Sequence, residues 1–151
     1  MSLATLAHLG LNHFTWGDIH PVINHFPIVF FMTALVWDIL FRFRLVESQM
    51  TSHWMIIVGA ILTIPTVLTG LAAESFHENS PFIEIHEYLG IATMSFGLIH
   101  ALIRIYGLFT YKMPSPNICI VLSLITVLLI GITSEYGGAV TRGHGLLIYS
   151  A

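Results

Sequence analysis

Charge is what this sequence has least of. Of its 151 residues only 9% are Asp, Glu, Lys or Arg, 56% are hydrophobic, and the mean hydropathy is +0.84. A water-soluble domain of this length would carry about a quarter charged residues, so the deficit excludes an ordinary soluble enzyme and points to one integral membrane domain. Cysteine is nearly absent. The single one, Cys119, lies inside an apolar run, which excludes a disulfide within the chain, a Cys-x-x-Cys metal clip and covalent c-type haem attachment. No G-x-S-x-G element, phosphate-binding P-loop or H-E-x-x-H zinc motif occurs, which leaves hydrolase chemistry without support. Nucleic acid is not an expected partner of a chain with five basic residues against eight acidic ones. The opening MSLATLAHLGLNHF has neither a basic n-region nor a cleavage pattern and is not read as a signal peptide.

What is present is apolar length. Stretches from about Pro21 to Arg44, Trp54 to Ala73, Glu84 to Phe109 and Asn117 to Tyr136 are each long enough to cross a hydrocarbon core. Proline suits the first turn of the first, and Thr51 and Ser52 are candidate caps for the second. Pro65 should kink the second, with Thr63 and Thr66 close enough to occupy freed backbone groups. Short connections make successive helices antiparallel neighbours, so the expected fold is an all-α, up-down four-helix membrane bundle over residues 20–136. Residues 1–19, with His8, His13 and Trp16, read as an interfacial segment. In residues 137–151, Gly137, Gly138, Gly143 and Gly145 oppose a regular helix, and this tail is expected to fold over the outer end of the bundle.

The few charges orient the bundle. Arg42, Arg44 and Lys112 gather at one end, whereas Asp18, Glu74, Glu78, Glu84, Glu87 and Glu135 share the other with Arg142 alone. The positive-inside rule then puts the basic end in the cytoplasm and both termini outside. Asp38 falls at nearly the depth of Arg104, so a buried ion pair between the first and third helices is expected, a proton-relay carboxylate being the alternative.

The histidines carry the chemistry. His86, Gly90, Thr93, Gly97, His100 and Arg104 fall on one helical stripe, which sets His86 and His100 about 40° apart around the axis and roughly 21 Å apart along it. Such imidazoles can reach an iron, and the glycines let a flat porphyrin approach the backbone; the same glycines also suit close helix packing with no cofactor. His20, His25, His77, His86 and His144 belong to the acidic end, and His53 and His100 to the basic side. His25 and His86 lie a short way inside apolar sequence, where a polar group needs a partner, so the first and third helices are expected to be neighbours with these two rings facing a common space. They form the expected ligand pair of a haem b, with His20 and His144 as substitutes, Gly90 and Gly97 making room, and Arg142 suited to a propionate. His100 would serve a second haem, but His53 lies roughly 10 Å closer to the basic face by helix rise, so one haem b is favoured over two. Bis-imidazole ligation closes the iron to substrates and suits an electron-transfer subunit better than a stand-alone enzyme. A second class is metal binding or transport, with zinc, copper or iron held by His25 and His86, or by the single Glu74-x-x-His77 element. A third is a cofactor-free structural subunit.

One family has these features. His20-Pro21 followed by His25-Phe26-Pro27, Asp38, Gly70 followed by Glu74, His86, and Gly137-Gly138 followed by Gly143-His144-Gly145 resemble a bacterial family of four-helix membrane proteins, domain of unknown function twenty-two thirty-one. The resemblance covers about residues 18–146, and HPVINHFP and GGAVTRGHG are its most specific parts. It implies a bacterial inner-membrane bundle and no established activity. Some relatives are joined to c-type cytochrome domains, which implies a place in electron transfer. The expected function is a b-type cytochrome-like subunit passing electrons between the quinol pool and an extracytoplasmic c-type cytochrome or other membrane subunits. His100 and the segment with His8 and His13 lie outside the pattern.

Overall fold

The computed structural model describes residues 16–74 and 80–142, with the side chains of 19–73 and 80–142. The helices are α1 (Trp16–Ile23), α2 (His25–Arg42), α3 (Met50–Glu74), α4 (Ile83–Thr110) and α5 (Pro116–Arg142), and no strand occurs among the described residues. Four spans are long and apolar enough to cross a bilayer: Ile19–Arg42, Met50–Ala73, Ile83–Thr110 and Pro116–Arg142. The chain is a multi-pass four-helix membrane bundle.

Three expected boundaries shift. α3 begins at Met50 rather than Trp54, so Thr51 and Ser52 lie inside the helix instead of capping it. The first helix begins at Trp16 rather than Pro21, its apolar span starting at Ile19, and is jointed at Asn24, between α1 and α2. Pro21 and Pro27 flank the joint, and neither has an N–H to donate to the carbonyl four residues back, so the ladder is thinnest there. Asn24 N–H still donates to His20 O at 3.0 Å and keeps the two pieces in line. At the other terminus α5 runs through Gly137 and Gly138 to Arg142 instead of stopping near Tyr136. Two helical glycines cost about 1 kcal/mol each, less than several kcal/mol for each backbone group stranded in apolar surroundings. The rest of the expected glycine-rich tail, with His144, lies outside the described residues, as does the segment with His8 and His13.

The four spans form a square. Neighbouring pairs are α2 with α3, α3 with α4, α4 with α5, and α5 with α2, while α1 lies on α3. The first and third spans, expected as neighbours, are therefore diagonal. The bundle is dressed for lipid: large apolar side chains such as Val29, Leu102, Phe109 and Leu128 point outward, Phe109 to 81% exposure. The interior mixes small and polar residues with an apolar cluster around Phe31 and Ile56; the small residues let backbones approach where no hydrophobic effect separates helix from lipid.

That interior repeats itself. On α2 the buried residues are Pro27, Phe31, Ala34 and Asp38; on α4, each 66 positions later, Thr93, Gly97, His100 and Arg104 are buried. On α3 the buried Ser52, Ile56, Gly59 and Thr63 recur 67 positions later as the buried Cys119, Ser123, Thr126 and Ile130 of α5. Two helical hairpins thus pack around a pseudo-twofold axis along the bundle, where a residue meets its own counterpart, as in an isologous dimer. Three such pairs meet across the diagonal: His20 with His86, Phe31 with Gly97, and Asp38 with Arg104.

Candidate functional site

At the histidine end, His20 of α1 and His86 of α4 face each other with ring centroids 6.4 Å apart and planes at 78°. His20 Nδ1 lies 3.0 Å from Thr66 O and His86 Nδ1 3.0 Å from Thr133 O. A carbonyl oxygen only accepts, so each Nδ1 carries its hydrogen and each neutral ring keeps an Nε2 lone pair that no described residue engages. The acceptor helices are shaped for these rings. Four residues past Thr66 and Thr133 stand Gly70 and Gly137, where an added Cβ would lie 3.0 Å from His20 Cε1 and 2.8 Å from His86 Cε1. The twofold thus reproduces ring, carbonyl and glycine on both sides.

One turn deeper on the same two helices, Asn24 Oδ1 is buried without a hydrogen-bond partner. Its counterpart 66 positions on is Gly90, where an added Cβ would meet nothing within 4 Å. An orphaned acceptor and an open space therefore sit at matching positions beneath the histidine pair.

His25 does not join it. Its ring is exposed, its Nδ1 donates to Pro21 O, and it lines an outward apolar cleft with Val22, Phe26 and Phe30. The five residues from His20 to His25 turn a helix by about 140°, so only one of the two can face the axis. Depth along the sequence selects His25; angular position selects His20. Gly97 is also not open, because the tip of Phe31 fills it, with Cζ 3.0 Å from an added Cβ. Arg142 is exposed on the last turn of α5, its guanidinium folded against Gly138.

The basic end holds the expected ion pair, Arg104 Nη2 to Asp38 Oδ2 at 2.5 Å with both side chains fully buried. It is the centre of a larger network. Asp38 Oδ1 also accepts from Ser52 Oγ at 2.6 Å and Gln49 Nε2 at 2.9 Å, and Oδ2 accepts from Ser123 Oγ at 2.8 Å. Arg104 Nε donates to His100 Nε2 at 3.1 Å and Nη1 to His53 Nδ1 at 3.0 Å. Both histidines are therefore neutral with fixed tautomers. His100 turns its Nδ1–H to Thr126 Oγ1 at 3.2 Å, and His53 turns its Nε2–H to the Met113 sulfur at 3.2 Å. Neither nitrogen of His100 is free, so the expected ligand of a second haem is a hydrogen-bonding member of this network. Asp38 has no spare lone pair for a proton relay either. The carboxylate is a fastening that ties α2 to α3, α4 and α5.

Gln49, Ser123 and Thr126 are additions to the sequence reading, and His20, expected as a substitute ligand, takes the place expected of His25 opposite His86. A signal for them exists. Asp18-Ile19-His20 recurs as Glu84-Ile85-His86, and Thr66 with Gly70 recurs as Thr133 with Gly137, at the same offsets of 66 and 67 residues. Among the described residues no group of three or more His, Cys, Asp or Glu is placed to hold a bare metal ion.

A four-span bundle with this interior defines an integral membrane protein, and its sequence assigns the family. The chain belongs to the family described as predicted membrane protein (DUF2231), whose profile matches residues 17–149. No curated protein and no solved structure matches it.

Proposed function

We propose that this protein is a b-type cytochrome-like membrane subunit that holds one haem b between His20 and His86 and passes electrons between the quinol pool and an extracytoplasmic c-type cytochrome or a larger membrane complex. The observation that carries this reading is the paired imidazoles, each with Nδ1–H fixed on a backbone carbonyl and Nε2 left over, at 6.4 Å between centroids. Metal-binding histidines are held in this way, the second nitrogen setting tautomer and orientation. Two imidazoles on opposite sides of one metal ion have nitrogens about 4 Å apart and ring centres about 6–6.5 Å apart. The open space at Gly90 and the orphaned Asn24 Oδ1 are the kinds of vacancy a planar group would use.

Two nitrogen donors favour haem over a bare ion. A porphyrin brings four nitrogens and needs only two axial ligands, whereas zinc, copper or iron alone needs more donors than the described residues bring together. When bound, the haem supplies one-electron chemistry. The residues of this chain would position it: His20 and His86 would hold it, the Thr66 and Thr133 carbonyls orient their rings, and Gly70 and Gly137 leave room for the rings beside their helices. The basic end is assigned to the cytoplasm and the histidine end to the opposite face of a bacterial inner membrane.

Purified protein should show a reduced-minus-oxidised band in the b-haem region. His20→Ala and His86→Ala should each abolish it, and the exposed His25→Ala should retain it. A band that survives both of the first two variants overturns the ligand assignment. Colourless protein carrying stoichiometric zinc, copper or iron would instead establish the metal-binding reading, and colourless, metal-free protein a structural subunit.

A further inference from the structure

We propose a second, independent site at the basic end: the cleft where α2 ends and α5 begins binds the phosphate of an anionic phospholipid headgroup. The cleft encloses about 590 Å3, and Arg42, Arg44, Glu47 and Asn117 line it together with the apolar Phe41 and Val46. Arg42 Nε donates to Asn117 Oδ1 at 2.8 Å, which fixes its guanidinium at the start of α5 and leaves both terminal nitrogens unspent. Arg44 is exposed in the cleft and makes no side-chain hydrogen bond to any described residue. Two guanidiniums with free donors in one cleft match the oxygens of a phosphate, and the positive end of the α5 dipole adds to the same field.

The surroundings select a lipid over a free anion. Phe43 and Leu45, on either side of Arg44, are 68% and 70% exposed, as suits residues dipping into the edge of the hydrocarbon. Arginines beside them reach the headgroup layer while their stems stay on apolar surface. Phe41 and Val46 give the cleft an apolar wall for the glycerol end of a lipid. Basic pockets between helices on the negatively charged leaflet recognise headgroups by this chemistry.

Glu47 opposes the bound charge, which supplies a variant that should gain binding. Native mass spectrometry of the full chain, titrated with phosphatidylglycerol, phosphatidylcholine or inorganic phosphate, reads the outcome. Phosphatidylglycerol should be retained in preference to phosphatidylcholine. The double variant Arg42→Gln, Arg44→Gln should bind it about thirtyfold more weakly, and Glu47→Gln about fivefold more tightly. Equal retention of the two lipids overturns the proposal. So does a double variant that binds as the parent does, or a Glu47→Gln variant with no gain. Displacement of the lipid by inorganic phosphate at equal concentration would assign the cleft to a free anion and overturn it too.

Discussion

At the basic end of the bundle every polar atom of the buried cluster is spent on another. At the histidine end no described residue engages two ring nitrogens and one amide oxygen. Both ends lie on the same pseudo-twofold axis, where a repeated hairpin sets like residues against each other. Along most of that axis the repeats have become complementary: an acid meets a base at Asp38 and Arg104, and a large ring meets an empty position at Phe31 and Gly97. Of these three pairs, the one at the histidine end sets identical side chains face to face. Complementary pairs satisfy themselves and hold helices together, whereas two identical lone-pair donors do not satisfy each other, a need that the proposed haem would meet. The contrast separates the fastening from the site.

Breaking the fastening should have the largest effect. Asp38→Asn or Arg104→Gln leaves an uncompensated buried charge or its orphaned donors, at a cost of about 3–5 kcal/mol. The double variant should cost less than the sum, read from thermal unfolding in detergent; additive losses would show that the pair is not coupled. Next comes Gly137→Ala, whose Cβ would collide with the His86 ring. It should lower stability by about 1–3 kcal/mol and release haem together with it. His86→Ala removes the bond to the Thr133 carbonyl, and His20→Ala the bond to the Thr66 carbonyl with a longer one to Thr69 Oγ1, so stability should fall by only about 1 kcal/mol while the haem band disappears. An equally large stability loss at both ends would erase the distinction between them.

Smaller effects sharpen it. Gly97→Ala presses on the Phe31 tip, which must yield by a few tenths of an ångström. A loss of about 1 kcal/mol is expected, with partial recovery when Phe31→Leu is added. Gly90→Ala meets no neighbour, so the haem-free protein should gain up to about 1 kcal/mol from helix propensity while its capacity to retain haem falls. Unchanged haem retention would move the porphyrin away from Gly90.

Features with a large energetic signature were legible in the sequence. The four spans follow from uninterrupted apolar length, and the Asp38–Arg104 pair follows from two lone charges at one depth, since neither can be buried alone. The features missed turn on angle and register. Depth in the apolar sequence favours His25, and finding His20 instead requires the rotation of a helix jointed between two prolines. Gly137 and Gly138 suggest a stop, but a helix in apolar surroundings tolerates glycine better than unpaired backbone. The repeat is spread over single residues at offsets of 66 and 67, too sparse to show as a run of identities and plain once the buried stripes are known.

The repeat also carries a parity. Each unit crosses the bilayer twice, so a second copy joined head to tail re-enters with the same polarity as the first, and equivalent residues emerge on the same side. Had the repeated unit held an odd number of crossings, His20 and His86 would sit on opposite faces of the membrane, and Asp38 would be separated from Arg104 by the thickness of the hydrocarbon. The even count brings both pairs together, and it fixes them at opposite ends of one axis, with the packed Phe31–Gly97 layer between as insulation.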